Sequence, residues 1–254
     1  LSIFNLEVGG RYNKHNEYGE NFTYAVSPSI NVTNQIKLFG TVSSAFRAPT
    51  LDMLFGQFGA NLNLKPEKAV NYEVGTTLNF FNDIVNLRVV GFKRNMDDAI
   101  IYGATGYINQ NEQNDKGFEI EPGLKFKNFT VNGYYAYVEG EQKNNTSVSD
   151  VLLRRPKNTY GINAGLQATS NLYLSANYKF TGDRVDSDFS SFPSVNRVLD
   201  SYQLLNFYTE YAFAKKRMRV FVDLKNITNE KYTEIIGYST MGFNMNTGVS
   251  FNFK

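Results

Sequence analysis

The chain has 254 residues, 42% of them hydrophobic, and a formal net charge of +2. No run approaches the ~18 consecutive apolar residues of a spanning helix, so a helical membrane protein is excluded. The near-balanced charge gives no general electrostatic reason to bind nucleic acid. The absence of cysteine removes disulfides and thiolate metal sites and mildly favours an oxidising compartment.

In chain order, short stretches alternate apolar and polar residues, the signature of strands with two unlike faces. Phe4, Leu6 and Val8 alternate with Asn5, Glu7 and Gly9. Leu1–Gly9 already reads as strand, with no charged leader or apolar h-region, so either a leader has been removed or the chain starts within something larger. After a predicted loop at 13–21 comes a stretch from Phe22 to Val32, then a turn at Asn34-Gln35 and a strand carrying Ile36, Leu38 and Val42. An irregular segment is expected from Phe46 to Pro66, with Met53, Leu54, Phe55 and Phe58 packed at a barrel mouth or forming a lid. Val70–Phe80 and Val85–Val89 flank a turn at Asn82-Asp83. A loop is expected at about 96–115, followed by Gly117–Phe126, a turn at Lys127-Asn128 and Phe129–Tyr137. A polar loop, Gly140–Lys157, precedes Tyr160–Leu166, a turn at Ser170-Asn171 and Leu172–Phe180. About eighteen loop residues then lead to Leu205–Phe213, a turn at 214–216, Met218–Leu224, a loop at 226–240 and a long final strand, Met241–Phe253.

About twelve strands result, and short turns and long loops strictly alternate between them. In an up-and-down barrel alternate connections share one end, so this pattern matches short periplasmic turns and long extracellular loops. The charges Lys37, Glu73, Arg88, Lys179, Arg219, Asp223 and Lys225 all fall on the parity opposite the apolar residues. A Lys or Arg facing lipid at mid-bilayer costs about 2–4 kcal/mol, which assigns these groups to a wet interior. The 21 Phe and 17 Tyr would supply the interfacial girdles. The fold class expected is all-β: an antiparallel up-and-down transmembrane barrel. A soluble sandwich is the bland alternative, but a Greek key has no reason to sort loop length by parity.

Several segments resemble TonB-dependent outer-membrane receptors: Phe46-Arg47-Ala48-Pro49-Thr50-Leu51, Leu62–Lys68, Asn71-Tyr72-Glu73-Val74-Gly75, Gly117-Phe118-Glu119-Ile120-Glu121, and Leu224–Tyr232. The resemblance covers nearly all of the chain. It implies a 22-stranded barrel holding an N-terminal plug, of which residues 1–254 would be the C-terminal portion without the plug. It also implies a Gram-negative outer membrane, contact with its lipid, and coupling to TonB through the missing plug. Within the family, three segments are most similar to the cobalamin-transporting receptors: Leu152–Arg155, Gly182–Pro193 and Ile236–Thr240.

That likeness implies ligand contacts at Arg154 and, where the family pattern has Tyr, at Phe189. An Arg on a loop rim offers several donors at any pH, while Phe189 keeps ring contact but loses the hydroxyl; Ser190 or Ser191 would have to replace that donor. The bland reading of Arg154 is a solvated loop residue or a partner of Asp150. Asp183, Asp186 and Asp188 form an acidic cluster, but a calcium site needs about six to eight oxygens in one place, and a solvated loop is the simpler reading. The single histidine, His15, has no second His or Cys to build a catalytic or metal site, so no enzyme, metal or cofactor is expected. The expected function is import of cobalamin or a related corrinoid. A siderophore or other nutrient is the alternative within the family, and a passive pore closed by these twelve strands is the alternative outside it.

Overall fold

The structure is a computed structural model that describes residues 3–103, 106–143, 148–149, 151–191, 193–213 and 217–253; the side chains of Asn111 and Val148 are not described. Its strands are β1 (Phe4–His15), β2 (Gly19–Asn31), β3 (Ile36–Arg47), β4 (Glu67–Phe80), β5 (Val85–Gly103), β6 (Gly106–Phe126), β7 (Phe129–Lys143), β8 (Val148–Ser149), β9 (Asn158–Gln167), β10 (Leu172–Thr181), β11 (Arg184–Asp188), β12 (Val195–Leu199), β13 (Tyr202–Phe213), β14 (Met218–Lys225) and β15 (Asn244–Phe251). One short helix, α1, spans Leu51–Phe55 and is capped by Thr50, whose hydroxyl accepts from the Met53 N–H at 3.3 Å. Among the described residues no helix is long and apolar enough to cross a membrane.

Twelve strands form one antiparallel meander, β1-β2-β3-β4-β5-β6-β7-β9-β10-β13-β14-β15, with β8 laid against β7; β11 and β12 pair as a separate hairpin. β1 and β15 are the two ends of that path, and no pairing joins them among the described residues. The wall is therefore part of a barrel, and a pore closed by these twelve strands alone does not match it.

Register carries the two faces across the whole sheet. Val131 pairs Leu124 and Ala164, Ala164 pairs Ala176, and Ala176 pairs Phe207, so one face is apolar from strand to strand. The other face carries Asn132, Asn163, Asn177 and Asn206 in the adjoining row. The apolar face is open: Phe4, Leu6, Val8, Phe22, Val74, Ile162, Val249 and Phe251 are all exposed. A water-soluble chain does not leave so much contiguous apolar surface uncovered; a wall facing hydrocarbon does.

The limits of the lipid band can be read from the same face. On β6 and β7, Phe118 stacks on Tyr137 with centroids 5.7 Å apart. The next outward pair, Lys116 and Glu139, is an ion pair at 3.0 Å. Tyr160 against Phe180, at 4.7 Å, continues this upper girdle. Phe126 paired with Phe129, and Tyr211 against Phe213 at 4.6 Å, mark the lower one. From Phe118 to Phe126 the strand climbs eight residues; at ~3.3 Å each and a tilt near 40° this gives roughly 20 Å of apolar height, close to the ~25 Å band of outer-membrane barrels.

Several boundaries differ from the sequence reading. Met96–Asp115 is not a loop: β5 and β6 stay paired out to Gly103 and Gly106. Just above Lys93 and Lys116 polar residues stand on both faces, Asn95, Asp97, Glu112 and Asn114 on one and Arg94, Gln113 and Asp115 on the other, so the hydrophobic alternation fades while the ladder continues. Residues 13–21 likewise belong to a hairpin paired to its tip, His15 opposite Gly19, where the His15 ring nitrogen Nδ1 accepts from the N–H groups of Glu17 and Tyr18 at 3.1 and 3.3 Å. The final strand is eight residues, Asn244–Phe251, shorter than Met241–Phe253. Phe243 is kept out of the ladder because its N–H bonds to Asn229 Oδ1 at 2.9 Å. The expected turn at 214–216 lies outside the described residues. The loop from Gly182 holds the β11–β12 hairpin, and the 140–157 loop begins only after β7 ends at Lys143.

Candidate ligand rim at the loop end

Most of the buried side chains lie at the long-loop end, where Asp186 is fully buried with Leu152, Leu199 and Arg184. Leu153 forms a parallel bridge to Val185, and the Arg154 N–H donates to the Val185 carbonyl at 2.7 Å. Arg154 stands at φ 60°, a left-handed turn that is uncommon for a non-glycine residue. Its Nε donates to Asp186 Oδ1 at 2.6 Å. The same oxygen accepts the Ser187 N–H at 2.9 Å, and Oδ2 accepts the Ile236 N–H at 2.9 Å. Burial works against the charged Asp186 carboxylate, but the guanidinium and the N–H groups of Ile236 and Ser187 outweigh it and hold the carboxyl below its ordinary range. Three loops thus meet on one carboxylate.

A second cluster faces the polar interior. Arg94 on β5 and Arg155 both donate to Asp115 Oδ2 on β6. Asp115 is 3% exposed and also accepts from Gln113 Nε2 at 3.2 Å. Arg94, Asp115 and Arg155, with Arg154, Arg88 and Glu73, line a cavity of about 540 Å³. The last loop is tied down separately: Arg184 lies 5.2 Å from the Tyr202 ring centre and donates to the Thr233 carbonyl. Tyr202 stacks on Tyr232 at 4.3 Å and donates to Glu234 at 2.7 Å. Asn226, at φ 50°, holds that loop's ends by bonding both Glu230 and Met241.

The 48–66 segment folds onto the tip of the β5–β6 ribbon. Gly59 and Gly106, at φ +65° and +134°, let two backbones meet, and the Tyr107 N–H donates to the Gly59 carbonyl at 2.8 Å. Leu54 and Met53 are partly covered, whereas Phe55 and Phe58 are exposed rather than packed at the mouth. Tyr102 at the ribbon tip meets Phe189 edge-on at 5.7 Å.

A family model described as TonB dependent receptor-like, beta-barrel, matches residues 2–227. The chain belongs to this family. Such receptors are Gram-negative outer-membrane transporters rather than enzymes. The chain is similar to the vitamin B12 transporter BtuB of Vibrio cholerae serotype O1, with 25% identity over 255 residues covering 97% of this chain and 40% of that protein. Its fold is similar to the siderophore receptor PirA from Acinetobacter baumannii (TM-score 0.82, 18% identity, all of this chain and 44% of that one). It is also similar to the ferric enterobactin receptor PfeA from Pseudomonas aeruginosa (TM-score 0.79, 17% identity, all of this chain and 43% of that one). The chain thus spans about two-fifths of the curated relative's length.

Within this TonB-dependent wall, Arg154 and Phe189 both lie at the rim. Arg154 pairs with Asp186; the alternative partner Asp150 is outside the described residues. Phe189 is half exposed at the end of the β11 hairpin strand, against Tyr102. Ser190 does not stand free as a replacement donor, since its hydroxyl bonds Asp188 Oδ1 at 2.6 Å, and Ser191 bonds the Pro193 carbonyl at 3.3 Å. Nor is the acidic cluster an open cage: Asp186 holds Arg154 and Asp188 holds Arg197 at 2.8 Å. Asp115, Arg94 and Arg155 were not singled out from the sequence. Running the β5–β6 register upward from Arg88 opposite Glu121 places Arg94 opposite Asp115, a signal hidden by reading that stretch as a loop.

Proposed function

We propose that this chain is the C-terminal portion of a plugged, 22-stranded outer-membrane transporter that imports a corrinoid of the cobalamin type. Coupling to TonB would run through a plug elsewhere in the whole protein. The observation that carries the corrinoid reading is the meeting on Asp186 of Arg154, Ser187 and Ile236. Each belongs to one of the three segments most similar to cobalamin-transporting receptors, so those segments form one surface. Arg154 keeps about half of its side chain open (48%) beside the cavity, and Phe189 offers a ring face for a large planar ligand.

Cobalamin binding by the full-length receptor tests this. Losing a charged donor to the ligand costs about 1.5–3 kcal/mol, so Arg154→Ala is expected to weaken binding roughly 10- to 150-fold. Unchanged affinity removes Arg154 from the site. A second reading, an anionic ferric siderophore as ligand, is favoured by the crowding of Arg94, Arg154 and Arg155 at one cavity. Tight binding of a siderophore with none of cobalamin selects it.

A further inference from the structure

We infer that Asp186 is a positioning residue that assembles the rim before any ligand arrives. Ligand loops pay an ordering cost when they close on a guest, and a pre-built rim avoids it. Asp186 is 0% exposed, so its carboxylate has no water to fall back on. Both oxygens are used, by donors 32 and 50 residues away in sequence as well as by its own neighbour. The bond to Arg154 fixes a guanidinium that projects from a left-handed turn, while the bond to Ile236 fixes the start of the Ile236–Thr240 segment. The Arg154 backbone bond to Val185 runs beside the side-chain bond, so the Leu152–Arg155 segment is held at two points. Removing the carboxylate leaves the wall untouched, because no strand of the twelve-strand path contributes to this junction.

This inference rests on the corrinoid reading only for the identity of the guest, and the test separates the two. Hydrogen exchange is measured on the ligand-free full-length receptor in detergent, wild type against Asp186→Ala, Asp186→Asn and Arg154→Ala. Asp186→Ala is expected to speed exchange at least tenfold at the Arg154 and Ile236 amides and to leave β9 and β10 unchanged. Asp186→Asn retains an acceptor oxygen and is expected to restore part of the Ile236 protection. Arg154→Ala leaves the Ile236 bond in place, so protection there stays at the wild-type level. In cobalamin binding, Arg154→Ala and Asp186→Ala are expected to be non-additive, the double variant losing less affinity than the two single losses combined. Wild-type exchange at both loops in Asp186→Ala overturns the inference, and so does faster exchange spread equally through β9 and β10. Faster exchange confined to the loops, in a receptor that binds no cobalamin, upholds the positioning role and removes the corrinoid; the same exchange with cobalamin binding unaltered in every variant keeps the positioning role and removes Arg154 from the site.

Discussion

Adjacent residues on β10 give a direct test of sidedness. Ala176 is exposed on the apolar face, midway between Leu172 and Phe180, and pairs Ala164 and Phe207. Asn177 is next in the chain, on the polar face, where its Oδ1 accepts from Asn206 Nδ2 at 3.1 Å. Ala176→Arg removes little packing but sets a guanidinium against mid-bilayer hydrocarbon, costing about 2–4 kcal/mol. Asn177→Arg gives up one hydrogen bond, about 1 kcal/mol, and sends its charge into the wet interior. The difference is about 1–3 kcal/mol, roughly 5- to 150-fold in the folding equilibrium. Urea titration of the full-length receptor refolded into lipid vesicles, followed by the heat-dependent gel shift of folded barrels, measures both variants. If Asn177→Arg proves as costly as Ala176→Arg, the assignment of the two faces is wrong.

The β6–β7 ladder predicts a contrast between two glycines. A Cβ on Gly117 would collide with the Tyr137 carbonyl oxygen and the Phe92 ring, whereas one on Gly91 meets nothing within 4 Å. Gly117→Ala should therefore cost about 1–3 kcal/mol in the same titration and Gly91→Ala almost nothing. Acid should loosen the rim. The Asp186 carboxyl is held below its ordinary value, so its stabilisation is complete above about pH 4 and is lost as pH falls through the lower folded value. Pepsin cleavage of the 226–243 loop should rise across that fall in wild type. In Asp186→Asn it should show no such step; a step of wild-type size there would contradict the assignment.

The wall was legible in the sequence because a lipid-facing strand has to repeat the same local choice every second residue. Leu6 against Glu7, or Val222 against Asp223, states the face wherever hydrocarbon lies on one side and water on the other. That rule lapses beyond the band. Asn95, Asp97, Glu112 and Asn114 sit on the outward parity of a ladder that continues into water, so nothing in their alternation distinguishes strand from loop. Motif likeness picked out Arg154 and Phe189 for the rim, but their partners were invisible. Asp186 bonds groups far along the chain, and Arg155 reaches Asp115 across 40 residues. Periodicity reports the solvent on each side of a strand, whereas a salt bridge between loops depends on where the wall delivers their ends. The sequence by itself determined the strand path, its two faces and its membrane setting. Only the tertiary structure decided which charges meet, because closing those loops on a buried carboxylate needs the register of every strand between them.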